Sequence, residues 1–351
     1  MGRQVNEKSM KPRLEIHFTP AQKKAFWKGT AYVAEQQEFL VNHARCAILL
    51  ALQSLKLPAG SPIGVMAYNC HTVFNAVTHA GHQPVFIDVT DSLVLDISDL
   101  RKKASSLRAL VVTHLFGIIN DIISIRKEFP DLPIIEDCAH AFGLRNPVGD
   151  FCVFSIGQGK YPSLGDGGIL TVRNEAFLSD VERLYRDLPE YSSGENLKLF
   201  CKMSVQSILY RPWVYSLITR PLKQLRKTSS GLEILIPRKM SPGIRAMFAA
   251  AKASFNERTQ GRKLRSVQIE SRLCNMHGVR KVLSGSINGF MAIAECEDPT
   301  AVKKVLLKHS IEAETHFGCC IEWAKQFGYV EGSCPMAESL IHHLLMVPTY
   351  A

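Results

Sequence analysis

The residues best equipped for chemistry fall in one stretch, 134–168, reading IIEDCAHAFGLRNPVGDFCVFSIGQGKYPSLGDGG. An apolar run ends in Asp137, with His140 three residues on. A second run closes at Ser155, and Lys160 follows in a turn flanked by Gly157 and Gly159. A carboxylate, an imidazole, a hydroxyl and an amine therefore stand just past the ends of two candidate strands. In open α/β sheets the carboxyl ends of strands are where ligands bind. A lysine amine can bond covalently to an aldehyde, and a strand-end aspartate can pair with a pyridinium nitrogen. Together they are the minimum equipment for holding pyridoxal phosphate. Only the free amine attacks an aldehyde, so Lys160 must be neutral, a form favoured by partial burial and a cationic neighbour.

Each group also has a plainer reading. Asp137 could cap the next helix, Lys160 could be one more surface lysine, and His140 could be a satisfied core histidine. His114, at the end of the run 110–113, reads as strand-end packing. Asn42-His43-Ala44-Arg45 opens a helix, whose first backbone N–H groups would suit a phosphate. Arg45 could add a charge-assisted hydrogen bond, or Asn42 could be only an N-cap. His342-His343 reads as packing, and the sequence presents no clean metal constellation.

The elements that must position these groups alternate in type. Residues 20–42 read as helical and lead into an apolar helix over 44–56. Strand signals at 63–67, 84–89, 107–113 and 133–136 alternate with helices at 71–80, 97–104 and 121–129. This pattern predicts an α/β fold: a three-layer, mostly parallel sheet with helices on both faces. Runs 151–156 and 168–172 follow too closely for a helix to intervene and read as neighbouring strands. A helix over 174–188 precedes a basic segment. Residues 241–276 then read as one long helix before a smaller C-terminal α+β unit. The expected units are an N-terminal segment (1–38), a large cofactor-binding domain (39–195), a basic amphipathic insertion (196–240) and the C-terminal unit (241–351).

The net charge of +10 is concentrated: residues 196–232 contain seven Lys and Arg and no Asp or Glu. The remainder carries only +3 (10 minus 7), which argues against a general nucleic-acid binder. Phe200, Tyr210, Trp213, Tyr215 and Leu217 interleave with those cations. The segment reads either as a solvated helix pair or as an element lying on an anionic membrane through 198–227. An RNA-binding patch would lack any known module. The ten cysteines form no CxxC pair, which suggests reduced core thiols. Without a signal-peptide pattern or a long apolar run, a cytoplasmic protein is expected, one whose basic segment could draw it to the inner face of the membrane.

IIEDCAHAFG, FSIGQGK and GDGG resemble the DegT/DnrJ/EryC1/StrS-type sugar aminotransferases, pyridoxal-phosphate enzymes of fold type I. QPVFIDV, VVTHLFG, KMS at 239–241 and CPMAESLIHHLLMVP fall in the order that family would give. Position by position, the resemblance implies that Asp137 meets the pyridine nitrogen and Lys160 bonds the aldehyde. It puts His140 beside the 3-hydroxyl and Ser155 on the phosphate. It also implies a homodimer that moves an amino group, usually from glutamate, to a keto-sugar nucleotide in surface-glycan biosynthesis. Departures concern the rest of the pocket. His43-Ala44-Arg45 stands where the family carries Ser-Gly-Thr, leaving Ala44 and Arg45 for the phosphate. Cys70 or His71 stands where a ring-stacking residue is expected, and Pro237 replaces an asparagine. The alternative function is a non-catalytic, cofactor-binding scaffold on the same fold.

Overall fold

Five apolar runs form the parallel heart of the sheet, because the helix between most successive runs returns the chain to its starting edge. In the computed structural model, which describes residues 18–219, 234–315 and 317–349, these are β2 (Pro62–Met66), β3 (Gln83–Ile87), β4 (Ala109–Thr113), β5 (Ile134–Cys138) and β6 (Phe151–Ser155). β1 (Glu38–Val41) and β7 (Gly168–Val172) complete a seven-stranded sheet of order β1-β7-β6-β5-β4-β2-β3. Only β7 runs against its neighbours. β4 and β5 are buried throughout, as expected of strands covered on both faces.

Helices α2 (Ala44–Ser54), α3 (His71–His79), α4 (Ile97–Lys103), α5 (Ile122–Glu128) and α6 (Leu178–Arg186) flank the sheet, after a short α1 (Pro20–Lys28). Every residue of α2 from Cys46 to Leu52 is buried, so this helix is apolar all round and sits against β6, β7, α3 and α6. Residues 20–42 differ from the helical expectation. Phe39, Leu40 and Val41 pair with Leu170, Ile169 and Gly168 as an edge strand, tertiary pairing having overridden local propensity.

A 17-residue α7 (Ser193–Leu209) follows. The expected long helix is two, α8 (Pro242–Ala253) and α9 (Phe255–Cys274), broken at Ser254. The break seats the Phe255 ring against Phe142 (4.9 Å) and Tyr161 (5.5 Å), beside the lysine turn. Beyond it, β8 (Val279–Leu283), β9 (Met291–Cys296) and β10 (Leu344–Pro348) form an antiparallel sheet packed by α10 (Pro299–Lys308). Helices α11 (Cys320–Lys325) and α12 (Pro335–His343) complete this part. Of the basic segment, Arg220, Lys223, Arg226 and Lys227 lie outside the described residues.

Candidate active site

The carboxyl ends of β4, β5 and β6 lie side by side, with Thr113 paired to Asp137 and Asp137 to Val153. The Asp137 carboxylate is buried and accepts two hydrogen bonds at 3.0 Å, from the Ala139 N–H and from the Thr113 hydroxyl. Thr113 Oγ1 in turn accepts from the Asn69 amide at 2.8 Å. Burial pushes the Asp137 carboxyl above its ordinary range, opposed by the Ala139 amide, the Lys160 charge and the Thr113 hydroxyl. A cation placed against it would be strongly held.

Lys160 Nζ lies 2.7 Å from His140 Nε2. On the other side of that ring, Nδ1 accepts the Phe116 backbone N–H at 3.1 Å, so it carries no proton. The proton of the neutral imidazole therefore sits on Nε2 and points at Lys160. An ammonium cannot accept it; a free amine can. The ring is held by near-parallel neighbours, Phe290 at 4.8 Å and Phe116 at 5.3 Å. From the C-terminal part, Asn288 donates to the His140 carbonyl at 3.1 Å and so ties down the loop after β5.

Above these groups opens a cavity of about 300 Å³. Lys160, Asp137, His140, Ser155, Ala44, Arg45 and Cys70 all line it. The N-terminus of α2 forms one wall, presenting backbone N–H groups and the positive end of the helix dipole. Three contacts set that end. His43 Nδ1 pairs with Asp166 at 2.7 Å. Gly168 lies so close to the His43–Ala44 peptide that a Cβ there would meet Ala44 N at 2.5 Å. Asn42 accepts from the Gly167 N–H at 2.7 Å and donates to the Arg238 carbonyl at 3.0 Å, while its side-chain amide reaches the Ile236 carbonyl at 2.9 Å. The GDGG run thus shapes the helix entrance, and Gly167 does so at φ +117.

His71 is placed otherwise. It does not line the cavity; as the first residue of α3 its ring is turned onto Trp323 at 4.7 Å. Cys70 stays at the wall. Burial raises its thiol, but the His71 hydrogen bond and the Lys160 charge bring it below its ordinary value. Phe317, Asn69, Thr113, Gln158 and Lys202 also line the site, none foreseen from sequence. Thr113 could have been found by applying the strand-end rule to β4. Phe317 and Lys202 come from distant segments that carry no local signal.

Among the described residues, His114, Glu136 and Cys138 are near enough to share a metal. Their polar atoms already have structural work: Glu136 accepts from His114 Nε2 at 3.0 Å and from the Val148 and Gly149 amides. The Lys160 cavity has a different donor set, an amine, a deep carboxylate and a helix N-terminus. That set fits pyridoxal phosphate: aldehyde, ring nitrogen and phosphate each find a partner of suitable charge.

Residues 24–188 match the model of the DegT/DnrJ/EryC1/StrS aminotransferase family. GDP-perosamine synthase of Escherichia coli O157:H7 is 29% identical over 151 residues, covering 40% of this chain and 41% of the relative. A UDP-N-acetyl-3-dehydro-alpha-D-glucosamine 3-aminotransferase of Acidithiobacillus ferrooxidans is 28% identical over 160 residues, 42% of each chain. The chain thus spans about two fifths of the length of the curated relatives it matches. In fold the likeness runs further. A sugar aminotransferase of Micromonospora echinospora superposes with a TM-score of 0.71 over 97% of this chain and 95% of that one, at 16% identity. An aminotransferase of Helicobacter pylori involved in pseudoaminic acid biosynthesis gives 0.71 over 97% and 94%, at 14% identity. Residues 24–188 are thus similar to the DegT/DnrJ/EryC1/StrS aminotransferase family, and the whole chain shares the fold of solved sugar aminotransferases.

Proposed function

We propose that the protein is a pyridoxal-phosphate-dependent aminotransferase that converts a keto-sugar nucleotide to an amino sugar for surface glycan, with glutamate as donor. The observation that carries this reading is the juxtaposition of Lys160, 2.7 Å from His140, and a buried Asp137 on one cavity wall. Pyridoxal phosphate bound there supplies an aldehyde and a ring that withdraws electrons from a neighbouring carbanion. Asp137 keeps a proton on the ring nitrogen. Ala44, Arg45 and Ser155 hold the phosphate. His140 would sit beside the 3-hydroxyl, its Nε2 2.7 Å from Lys160 Nζ. Lys160 Nζ would hold the aldehyde, and as a free amine it would move the proton taken from the donor's Cα. Cys70 and Phe317 limit water at the reacting face.

A homodimer acting in the cytoplasm belongs to the same proposal, as does contact with an anionic membrane through 198–227. Among the described residues no helix is long and apolar enough to cross a membrane. Purified protein should turn yellow with pyridoxal phosphate, and Lys160→Ala should abolish the colour. Glutamate should then bleach it and release 2-oxoglutarate. A coloured protein that glutamate leaves unchanged would instead be the scaffold, a reading that His43-Ala44-Arg45 in place of Ser-Gly-Thr favours. A protein that stays colourless would end both.

A further inference from the structure

α7 has an outer face that nothing among the described residues covers. Leu197, Val205 and Ile208 lie on one stripe of the helix and are about half exposed. In the turn that follows, Val214 and Tyr215 point inward, and the Tyr215 hydroxyl donates to Glu312 at 2.7 Å. That anchor leaves Trp213 and Leu217 outward, 60% and 73% exposed. Lys198, Lys202 and Arg211 are exposed alongside, and no acidic residue occurs between 196 and 232.

We infer that this face docks on an anionic lipid surface, which gives the membrane contact proposed above its residues and its orientation. Apolar anchors, a tryptophan suited to the headgroup level and cations with no acidic neighbour in sequence are the combination such a surface attracts. A second copy of the chain is a poorer occupant. Isologous pairing sets a patch against itself, and here that would bring Lys198, Lys202 and Arg211 toward their own copies, whereas an anionic surface offers them opposite charge. The docked face also adjoins the site. Lys202 lines the Lys160 cavity, and Lys198 lines a neighbouring one of about 330 Å³ that shares His43 and Arg45 with it. One helix therefore serves both surfaces, placing the cavity mouth near the lipid.

The test is co-sedimentation of the full chain, with and without pyridoxal phosphate, using vesicles of phosphatidylcholine alone or mixed with phosphatidylglycerol. Binding to the mixed vesicles only, lost in high salt, is expected. Trp213→Ser with Leu217→Ser should weaken it by at least about tenfold, from the apolar area lost. Arg211→Glu should weaken it about fivefold or more. Circular dichroism and sedimentation velocity on each variant check fold and oligomeric state. No vesicle binding, equal binding to neutral vesicles, or unchanged binding by the double variant would overturn the proposal. So would a double variant that turns a dimer into monomers, since a second copy would then cover the face. Vesicle binding does not depend on catalysis, so its failure is separable from failure of the aminotransferase reading.

Discussion

Replacing Asp137 by asparagine separates the cost of burying a carboxylate from the use made of it. In the protein alone, Asp137 is 3% exposed and its pKa is raised, chiefly by burial. A group whose folded pKa exceeds its unfolded one stabilises the fold fully only below the unfolded value, about 4 for aspartate. That contribution is lost as pH rises through the raised value. At neutral pH the ionised Asp137 therefore weakens the cofactor-free fold. In the Asp137→Asn variant the side-chain oxygen would keep the Ala139 hydrogen bond, and the Thr113 hydroxyl can turn to accept from the new amide. The thermal midpoint of the cofactor-free variant should then be unchanged or higher at neutral pH, and its fall between acid and neutral pH should flatten. Cofactor affinity should move the other way. Breaking a buried charge pair costs about 3–5 kcal/mol, equivalent to roughly two to nearly four decades in dissociation constant. Calorimetry with and without pyridoxal phosphate, beside titration of the visible band, measures both. A cofactor-free midpoint that drops by several degrees while affinity is intact would refute the reasoning and leave Asp137 a strand-end cap.

Two further substitutions probe the neighbours. His140→Phe preserves the stack on Phe116 and Phe290 but leaves the Phe116 N–H buried without its acceptor, costing about 1–3 kcal/mol of stability by chemical denaturation. It should also slow colour development at neutral pH, whereas His140→Gln, which can both accept and donate, should restore much of the rate. Gly168→Ala should displace the His43–Ala44 peptide and weaken cofactor binding about tenfold or more, with protection by inorganic phosphate lost in parallel. Unaltered phosphate protection in that variant would show that the α2 N-terminus does not hold the phosphate.

What could be read from sequence follows from how local its causes are. Asp137, His140, Ser155 and Lys160 lie within one strand–turn–strand unit, so apolar runs and glycines were enough to set them on one edge. The parallel sheet was legible for the same reason, each strand being paired with a helix nearby in sequence. The errors lie where distant contacts decide. Residues 38–41 become a strand only because β7 offers an edge. Ser254 breaks a helix because Phe255 has rings to meet at Phe142 and Tyr161. His71 opens α3 as expected, yet Trp323, far along the chain, draws its ring away from the cavity. Phe317 and Asn288 reach the site from the C-terminal part, and no periodicity near Lys160 announces them.

The fourfold anchorage of Asn42 has a consequence for the order of assembly. Its backbone and side chain join Gly167, Ile236 and Arg238, the last 196 positions away. On a ribosome, the edge carrying Asp137 and Lys160 is complete once β7 has emerged, but the α2 N-terminus, the end proposed for the phosphate, must wait for residues 236–238. Early loading would meet an aldehyde-binding amine without its anion clasp. Closure of such a long loop is also a slow event in folding. Capture of the cofactor should therefore be a late step, after more than two thirds of the chain has been made, and the stretch 24–188 would be an unfinished pocket if it were expressed alone.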